Sequence, residues 1–197
     1  MTRTLAKRIQ LALFALSILA LPLLGRAAPE RKPDPWQPIR FFVGEWEGTA
    51  EGQGGSGTVR RSYAFVLHDR YLHEKNVSTY PPQEKNKAGE LHEHWSFFSY
   101  DSKRALLVLR QFHQEGFVNW YVMNKEATTP GKLVFDSEGF ENFSNSWRAR
   151  ETYDILNADE FIETFELAPP DKPFEVYSRS HFHRVVHGHH LTGGHHA

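Results

Sequence analysis

The sequence predicts an all-β protein that forms a single antiparallel up-and-down barrel of about ten strands. From about residue 36 the chain consists of short runs rich in aromatic and β-branched residues, separated by Gly, Pro, Asn and Asp. No convincing amphipathic helix interrupts these runs. With 197 residues, of which 40% are hydrophobic and 14% aromatic, the chain has the apolar content for one domain with a substantial core.

The barrel is favoured over an open sheet because a long meander has two exposed edges, and closure removes both. Several runs alternate between two faces, as in Val59, Arg61 and Tyr63 against Arg60 and Ser62, so one face is directed towards an interior. A barrel of about eight to ten strands can also enclose one small ligand. A β-sandwich is the structural alternative. The predicted strands are residues 45–50, 58–67, 71–79, 91–100, 105–112, 117–124, 133–137, 147–156, 161–167 and 174–185.

The first 27 residues are predicted to be a cleaved signal peptide. Arg3, Lys7 and Arg8 give a positively charged start, residues 11–24 are almost continuously apolar, and small residues allow cleavage after Ala27. A retained single-span anchor is the alternative, although the apolar run is shorter than a bilayer requires. We therefore expect a periplasmic or secreted protein with no integral membrane association after cleavage.

The remaining chain divides into a proline-rich extended leader (28–35), the barrel domain (36–186) and a His-rich disordered tail (187–197). Cleavage removes four basic residues and no acidic one, so the 23 basic and 24 acidic residues become 19 and 24. This weakly acidic balance, without a basic block, argues against nucleic-acid binding. The absence of Cys excludes disulfides, thiolate nucleophiles and Cys-based metal sites.

The first strand carries the pattern Gly44-x-Trp46-x-Gly48, preceded by a short lead-in at residues 36–42. This start resembles that of calycin-type barrels, and more narrowly it is similar to that of nitrobindin-like haem-binding barrels and a related group of uncharacterised bacterial lipocalin-like proteins. The resemblance implies that an Arg of the final strand, Arg184 or Arg179, packs near Trp46.

The same resemblance implies a small hydrophobic or cyclic ligand, haem included. Its axial haem ligand would fall early in the last strand, near Tyr177, and His181 and His183 lie further along that strand. Tyrosinate and imidazole can both ligate haem iron.

Two His-x-His pairs lie in predicted strands, at His92 and His94 and at His181 and His183. Because strand side chains repeat every second residue, the members of each pair share one face and can converge on one metal ion. A third ligand from a neighbouring strand would complete an open site, and His113 and Glu115 are the candidates. Metal affinity of a compositional kind is also predicted for the tail, at His187, His189 and His190.

Aromatic residues of the runs are candidates for lining an apolar cavity, namely Phe65, Trp95, Trp120, Tyr153 and Phe165. The carboxylates Glu151, Glu163 and Glu166 also lie in predicted strands. There we expect them to face solvent as partners for Arg148 and Arg150, although one of them could face a cavity.

The sequence therefore favours an exported binding protein for a small hydrophobic or cyclic ligand, haem included, without defined catalysis. The alternative is a periplasmic protein that binds zinc or a similar ion through strand histidines and the tail. A third hypothesis is an isomerase or hydrolase built inside the barrel.

Overall fold

The computed structural model describes residues 33–84 and 86–186, and these form one closed antiparallel barrel of ten strands. Each strand pairs with its neighbours in sequence, and β1 pairs with β10 to close the barrel. The predicted fold class is therefore confirmed. The strands are β1 (Gly44–Gly52), β2 (Gly55–Val66), β3 (Tyr71–Tyr80), β4 (Glu90–Asp101), β5 (Leu106–His113), β6 (Val118–Met123), β7 (Lys132–Glu141), β8 (Arg148–Asn157), β9 (Glu160–Ala168) and β10 (Glu175–Arg184).

The predicted signal peptide, most of the leader and the His-rich tail lie outside the described residues. Within residues 33–84 and 86–186, no helix is long and apolar enough to cross a membrane. The described chain does contain one short 3₁₀-helix, Gln37–Phe42, which precedes β1.

This 3₁₀-helix closes one end of the barrel, which we call the closed end. Ile39 and Phe42 are fully buried, and the Phe42 ring lies between the rings of Tyr63 and Tyr153, with centroid distances of 5.2 and 5.1 Å. The indole Nε1 of Trp46 donates a hydrogen bond of 2.7 Å to the Phe42 carbonyl. The lead-in segment is therefore part of the hydrophobic core.

Arg184, on β10, fixes the lead-in to the barrel wall. Its guanidinium lies 4.2 Å from the centroid of the Trp46 ring and donates hydrogen bonds of 2.9 Å to the carbonyls of Phe41 and Val43. The arginine that the resemblance places against the opening tryptophan is therefore Arg184, not Arg179.

Glycine at position 48 is required by the closure of the barrel. A Cβ atom at Gly48 would lie 1.8 Å from a backbone carbonyl oxygen of β10, so a side chain there is excluded by direct overlap. Gly44, at the start of the same strand, has a φ of +125°, which side chains rarely allow.

The interior of the barrel has two different halves. Towards the closed end it is filled by aromatic and aliphatic side chains, including Leu72, Phe98, Leu109, Phe161 and Phe182. Towards the other end, which we call the open end, the inward positions are polar: Arg61, Asn76, Ser78, Gln111, Asn119, Glu151, Glu163 and Ser180. The apolar half supplies the core, and the polar half surrounds a cavity.

Candidate functional site

The open end contains a cavity of about 650 Å³, a volume typical of small-molecule sites. Its lining combines polar side chains of the strands with apolar ones such as Phe165 and Leu167 of β9, and it is aromatic near the β7–β8 loop, where Phe143 and Trp147 lie. The cavity is therefore of mixed character, because buried charged and amide side chains occupy the inward positions of several strands beside the expected apolar ones.

Three histidines come together in the wall of this cavity. His92 and His94 are alternate residues of β4, and His94 is directly opposite His113 of β5 in the strand register. The ring centroids lie 5.2 to 5.6 Å apart, and one potential ligand nitrogen from each ring lies within 4.8 Å of the others. The pair at His92 and His94 and the third candidate, His113, thus form one cluster.

Each ring of this cluster is held by a second side chain. His92 Nδ1 lies 3.0 Å from Glu115 Oε1, and His94 Nε2 lies 3.0 Å from Glu74 Oε1. His113 Nε2 lies 3.2 Å from the side-chain amide of Asn119. Such partners fix the orientation and tautomer of metal-binding imidazoles.

The opposite nitrogens of two of these rings are unsatisfied. Nδ1 of His94 and Nδ1 of His113 are buried without a hydrogen-bond partner among the described residues. A buried nitrogen without a partner costs free energy unless a ligand, ion or water satisfies it. Two nitrogens of the cluster are therefore free to contact a ligand, an ion or a water molecule.

An ionic network that crosses the inside of the barrel contacts the cluster through Glu74. Arg61, on β2, donates two hydrogen bonds of 2.7 Å to the carboxylate of Glu163 on β9, and its Nε lies 3.3 Å from Glu74. Burial alone would raise the pKa of Glu74, but Arg61 and the hydrogen bond from His94 outweigh it, so the pKa lies below its ordinary value. Glu74 is thus an ionised acceptor for His94.

Burial, and then the neighbouring rings of His94 and His92, lower the pKa of His113 from 6.5 to about 2. His113 is therefore neutral at physiological pH. A neutral imidazole is the form that binds metal ions.

The interior position of two glutamates corrects the expectation that they face solvent. Glu151 and Glu163 both line the cavity, whereas Glu166 lies opposite Arg150 in the strand register. Burial, and then the Glu163 carboxylate, raise the pKa of Glu151 well above its ordinary value. Glu151 Oε2 is also buried without a partner among the described residues. Glu151 therefore adds a further unused polar atom to the cavity.

His181 and His183 lie on the outer face of β10, because the inward positions of this strand are occupied by Ser180 and Phe182. The expectation that they point into the barrel is therefore corrected. They form a surface cluster with Glu160, whose Oε1 lies 2.6 Å from His181 Nε2. That they bind a metal stays a prediction, as it does for the tail residues His187, His189 and His190. Tyr177, which lies in the β-bulge between Val176 and Ser178, is 40% exposed and lines the cavity.

The aromatic candidates are divided among different surroundings. Trp95 is 52% exposed on the outer face beside Lys75, and Trp120 is also on the outer face, so neither lines the cavity. Phe65 packs against the closed-end core, and Tyr153 is buried in that core. Phe165 lines the cavity as expected.

Sequence reasoning missed Glu74 and Asn119, which hold two of the histidines, and the ion pair of Arg61. A signal for Arg61 was present, because it occupies the same strand face as Val59 and Tyr63. A charged residue within an apolar face indicates a buried partner of opposite charge.

The fold and the cavity define a closed antiparallel barrel with an internal polar site. The chain is similar to the crystal structure of Rv2717c from M. tuberculosis, with a TM-score of 0.58 and 14% sequence identity over 78% of this chain and 99% of that chain. At this identity the similarity supports the fold alone. Comparison with family models and with curated proteins finds no match to the sequence.

Proposed function

We propose that the protein binds a divalent transition-metal ion such as zinc through His92, His94 and His113, and that the ion retains a position open to a small molecule from the cavity. The observation that carries this proposal is the pair of buried, unpartnered Nδ1 atoms of His94 and His113 within a cluster of three imidazoles. Three protein ligands and one open position are typical of zinc sites that bind or activate a small molecule.

The geometry of the cluster fits such an ion with small side-chain movements. At zinc–nitrogen distances of about 2.0–2.1 Å, the nitrogens of a tetrahedral site lie about 3.3 Å apart. The potential ligand atoms here lie within 4.8 Å of one another, so the rings need to close by about 1.5 Å.

The tautomers fit as well. Glu74 and Glu115 accept from His94 and His92, which leaves the other nitrogen of each ring as the metal ligand. When the Asn119 amide is turned by 180°, its oxygen accepts from His113 Nε2 and from the Tyr121 hydroxyl, so His113 Nδ1 is also free to bind the ion.

Haem ligation through the last strand is less well supported. With His181 and His183 on the outer face, Tyr177 is the remaining candidate of the three for an axial ligand. Export of the protein, inferred from residues 1–27, is part of this proposal. In an oxidising compartment thiols form disulfides, whereas a site built from histidines is not affected by that reaction.

The test is a titration of Co²⁺ or Zn²⁺ into the full chain with the five tail histidines replaced by alanine, so that the tail takes up no ion. We expect one tightly bound ion per chain, apart from any weaker uptake by Glu160, His181 and His183 on the outer face, and a cobalt absorption spectrum of tetrahedral type. His92→Ala, His94→Ala and His113→Ala should each abolish this tight site, because each leaves an incomplete set of ligands.

Glu74→Gln should weaken binding by about 10–100-fold, the usual effect of removing a partner that orients a ligand. The matched control is His73→Ala, because His73 lies on the outer face of β3 with its ring stacked on Phe97. If the ion binds equally well to His113→Ala and His73→Ala, the proposed site is wrong.

A further inference from the structure

A continuous set of aromatic rings leads away from the histidine cluster along the cavity wall. Phe117 stacks on the His113 ring at 4.2 Å, Phe143 lies 6.2 Å from Phe117, and Trp147 lies 5.8 Å from Phe143. Phe140 packs against Phe143 at 5.5 Å. We call these four residues, Phe117, Phe140, Phe143 and Trp147, the aromatic shelf; all of them line the cavity.

The shelf is held in place before any ligand arrives. The Asn142 side chain donates a hydrogen bond of 2.7 Å to the carbonyl of Gly116, which ties the β7–β8 loop to the β5–β6 turn. Asn145 Oδ1 accepts a 2.7 Å hydrogen bond from the backbone N–H of Phe140. A preformed wall loses little conformational entropy when a ligand binds to it.

Phe143 is 44% exposed although it sits in a concave surface. The Phe143 side chain does not belong to the hydrophobic core, so a polar residue could take its place without loss of core packing. An exposed aromatic ring in a concave surface therefore indicates a binding surface. Because the shelf begins at His113, a molecule lying on it has one end beside the proposed metal position.

The charges of the cavity select against an anionic occupant. Glu90, Glu115 and Glu175 line the cavity together with the buried glutamates. Among the described residues that line it, Arg61 is the one Lys or Arg, and both of its terminal nitrogens are already bonded to Glu163. Apart from the metal ion, whose open position the donor of the ligand occupies, a carboxylate or phosphate would therefore find no free cation and would meet the carboxylates of Glu90, Glu115 and Glu175.

We infer that the cavity takes a neutral small molecule with an aromatic or alicyclic ring body, which lies on the aromatic shelf, and with a nitrogen or oxygen donor that enters the open position of the metal ion. This inference rests on the proposed metal site. It adds the chemical class of the ligand, and it separates an uncharged ring compound from haem, which carries two carboxylate groups of its own.

The test uses the Co²⁺-loaded full chain with the tail histidines replaced by alanine, and reads ligand entry from the cobalt absorption spectrum. The probes are imidazole, 4-phenylimidazole and 4-(imidazol-4-yl)benzoate, which share one donor ring and differ in the body attached to it. We expect 4-phenylimidazole to bind at least about tenfold more tightly than imidazole, because its phenyl ring is removed from water. The benzoate should bind at least about tenfold more weakly than 4-phenylimidazole, because its charge has no partner.

The double variant Phe143→Ala, Trp147→Ala should reduce the ratio between 4-phenylimidazole and imidazole to about threefold or less. The matched control is Phe112→Ala, which removes a ring of similar exposure, 45%, from the outer face of β5 and should leave the ratio unchanged. A normal cobalt spectrum with equal affinity for all three probes, or a ratio that the shelf variant does not change, would overturn this inference alone. Failure to form the cobalt site would overturn the proposed function and this inference together.

Discussion

Because His113 is buried and neutral, we expect the free energy of unfolding of the metal-free protein to fall as the pH is lowered. The substitution His113→Gln should remove this contribution. The pKa of His113 is lowered from 6.5 to about 2 in the folded protein, by burial first and then by His94 and His92. The unfolded chain therefore takes up a proton at this position as the pH falls below 6.5, while the folded protein does not. The stabilising contribution is present above pH 6.5 and is lost progressively between pH 6.5 and about 2.

The size of the effect at pH 5 follows from these values. This pH lies about 1.5 units below the pKa of His113 in the unfolded chain, so the unfolded residue is almost fully protonated. In the folded protein His113 is still neutral at this pH. Since one unit corresponds to about 1.36 kcal/mol, the free energy of unfolding should be about 2 kcal/mol lower at pH 5 than at pH 8 because of this residue alone.

The measurement is urea denaturation of the wild type and of His113→Gln between pH 8 and pH 5, with a chelator present to remove metal ions. Glutamine keeps a polar atom near Asn119 but does not titrate. The wild type should lose about 2 kcal/mol more than the variant over this range. Parallel pH profiles for the two proteins would refute the buried neutral state of His113.

Three further predictions concern the frame of the site, and each can be measured by urea or thermal unfolding. Gly48→Ala should prevent closure between β1 and β10 and strongly destabilise the barrel, whereas Gly54→Ala, where a Cβ meets no atom within 4 Å, should have little effect. Arg61→Met should cost about 3–5 kcal/mol because it leaves buried carboxylates unpaired, and adding Glu163→Met should recover part of that loss. Arg184→Met should cost about 2–4 kcal/mol through lost hydrogen bonds to backbone carbonyls; a loss below 0.5 kcal/mol, the range of ordinary surface changes, would contradict its role in closing the barrel.

The strands could be predicted from the sequence because aromatic and β-branched runs and their Gly- and Asn-containing turns mark each strand. The side of the barrel that a residue faces was harder to predict where the interior is polar. In β10 the inward residues include Ser178 and Ser180, and the outward residues include His181 and His183, so hydrophobic alternation gives no signal there. The β-bulge between Val176 and Ser178 also changes the parity that counting along the strand assumes.

The first histidine pair was easier to place because strand geometry puts His92 and His94 on the same face. His113 comes opposite His94 once the β4–β5 hairpin fixes the register of the two strands. Glu74 could not be assigned to this cluster from local pattern, because its contact with His94 depends on the β3–β4 register and on a charged residue being tolerated inside the barrel.

The ion pair between Arg61 and Glu163 spans the inside of the barrel, since β2 and β9 are separated by β1 and β10 in the wall. It lies between the packed aromatic core and the cavity, and so acts as a partition between the part of the molecule that stabilises it and the part that can bind. Substitutions of cavity residues on the open-end side of this pair can change which ligand binds without disturbing the packing of Phe42, Phe98 and Phe161. The closed-end half of the barrel can therefore be kept constant while the open-end half is redesigned. The Arg61–Glu163 pair marks the boundary between the two halves.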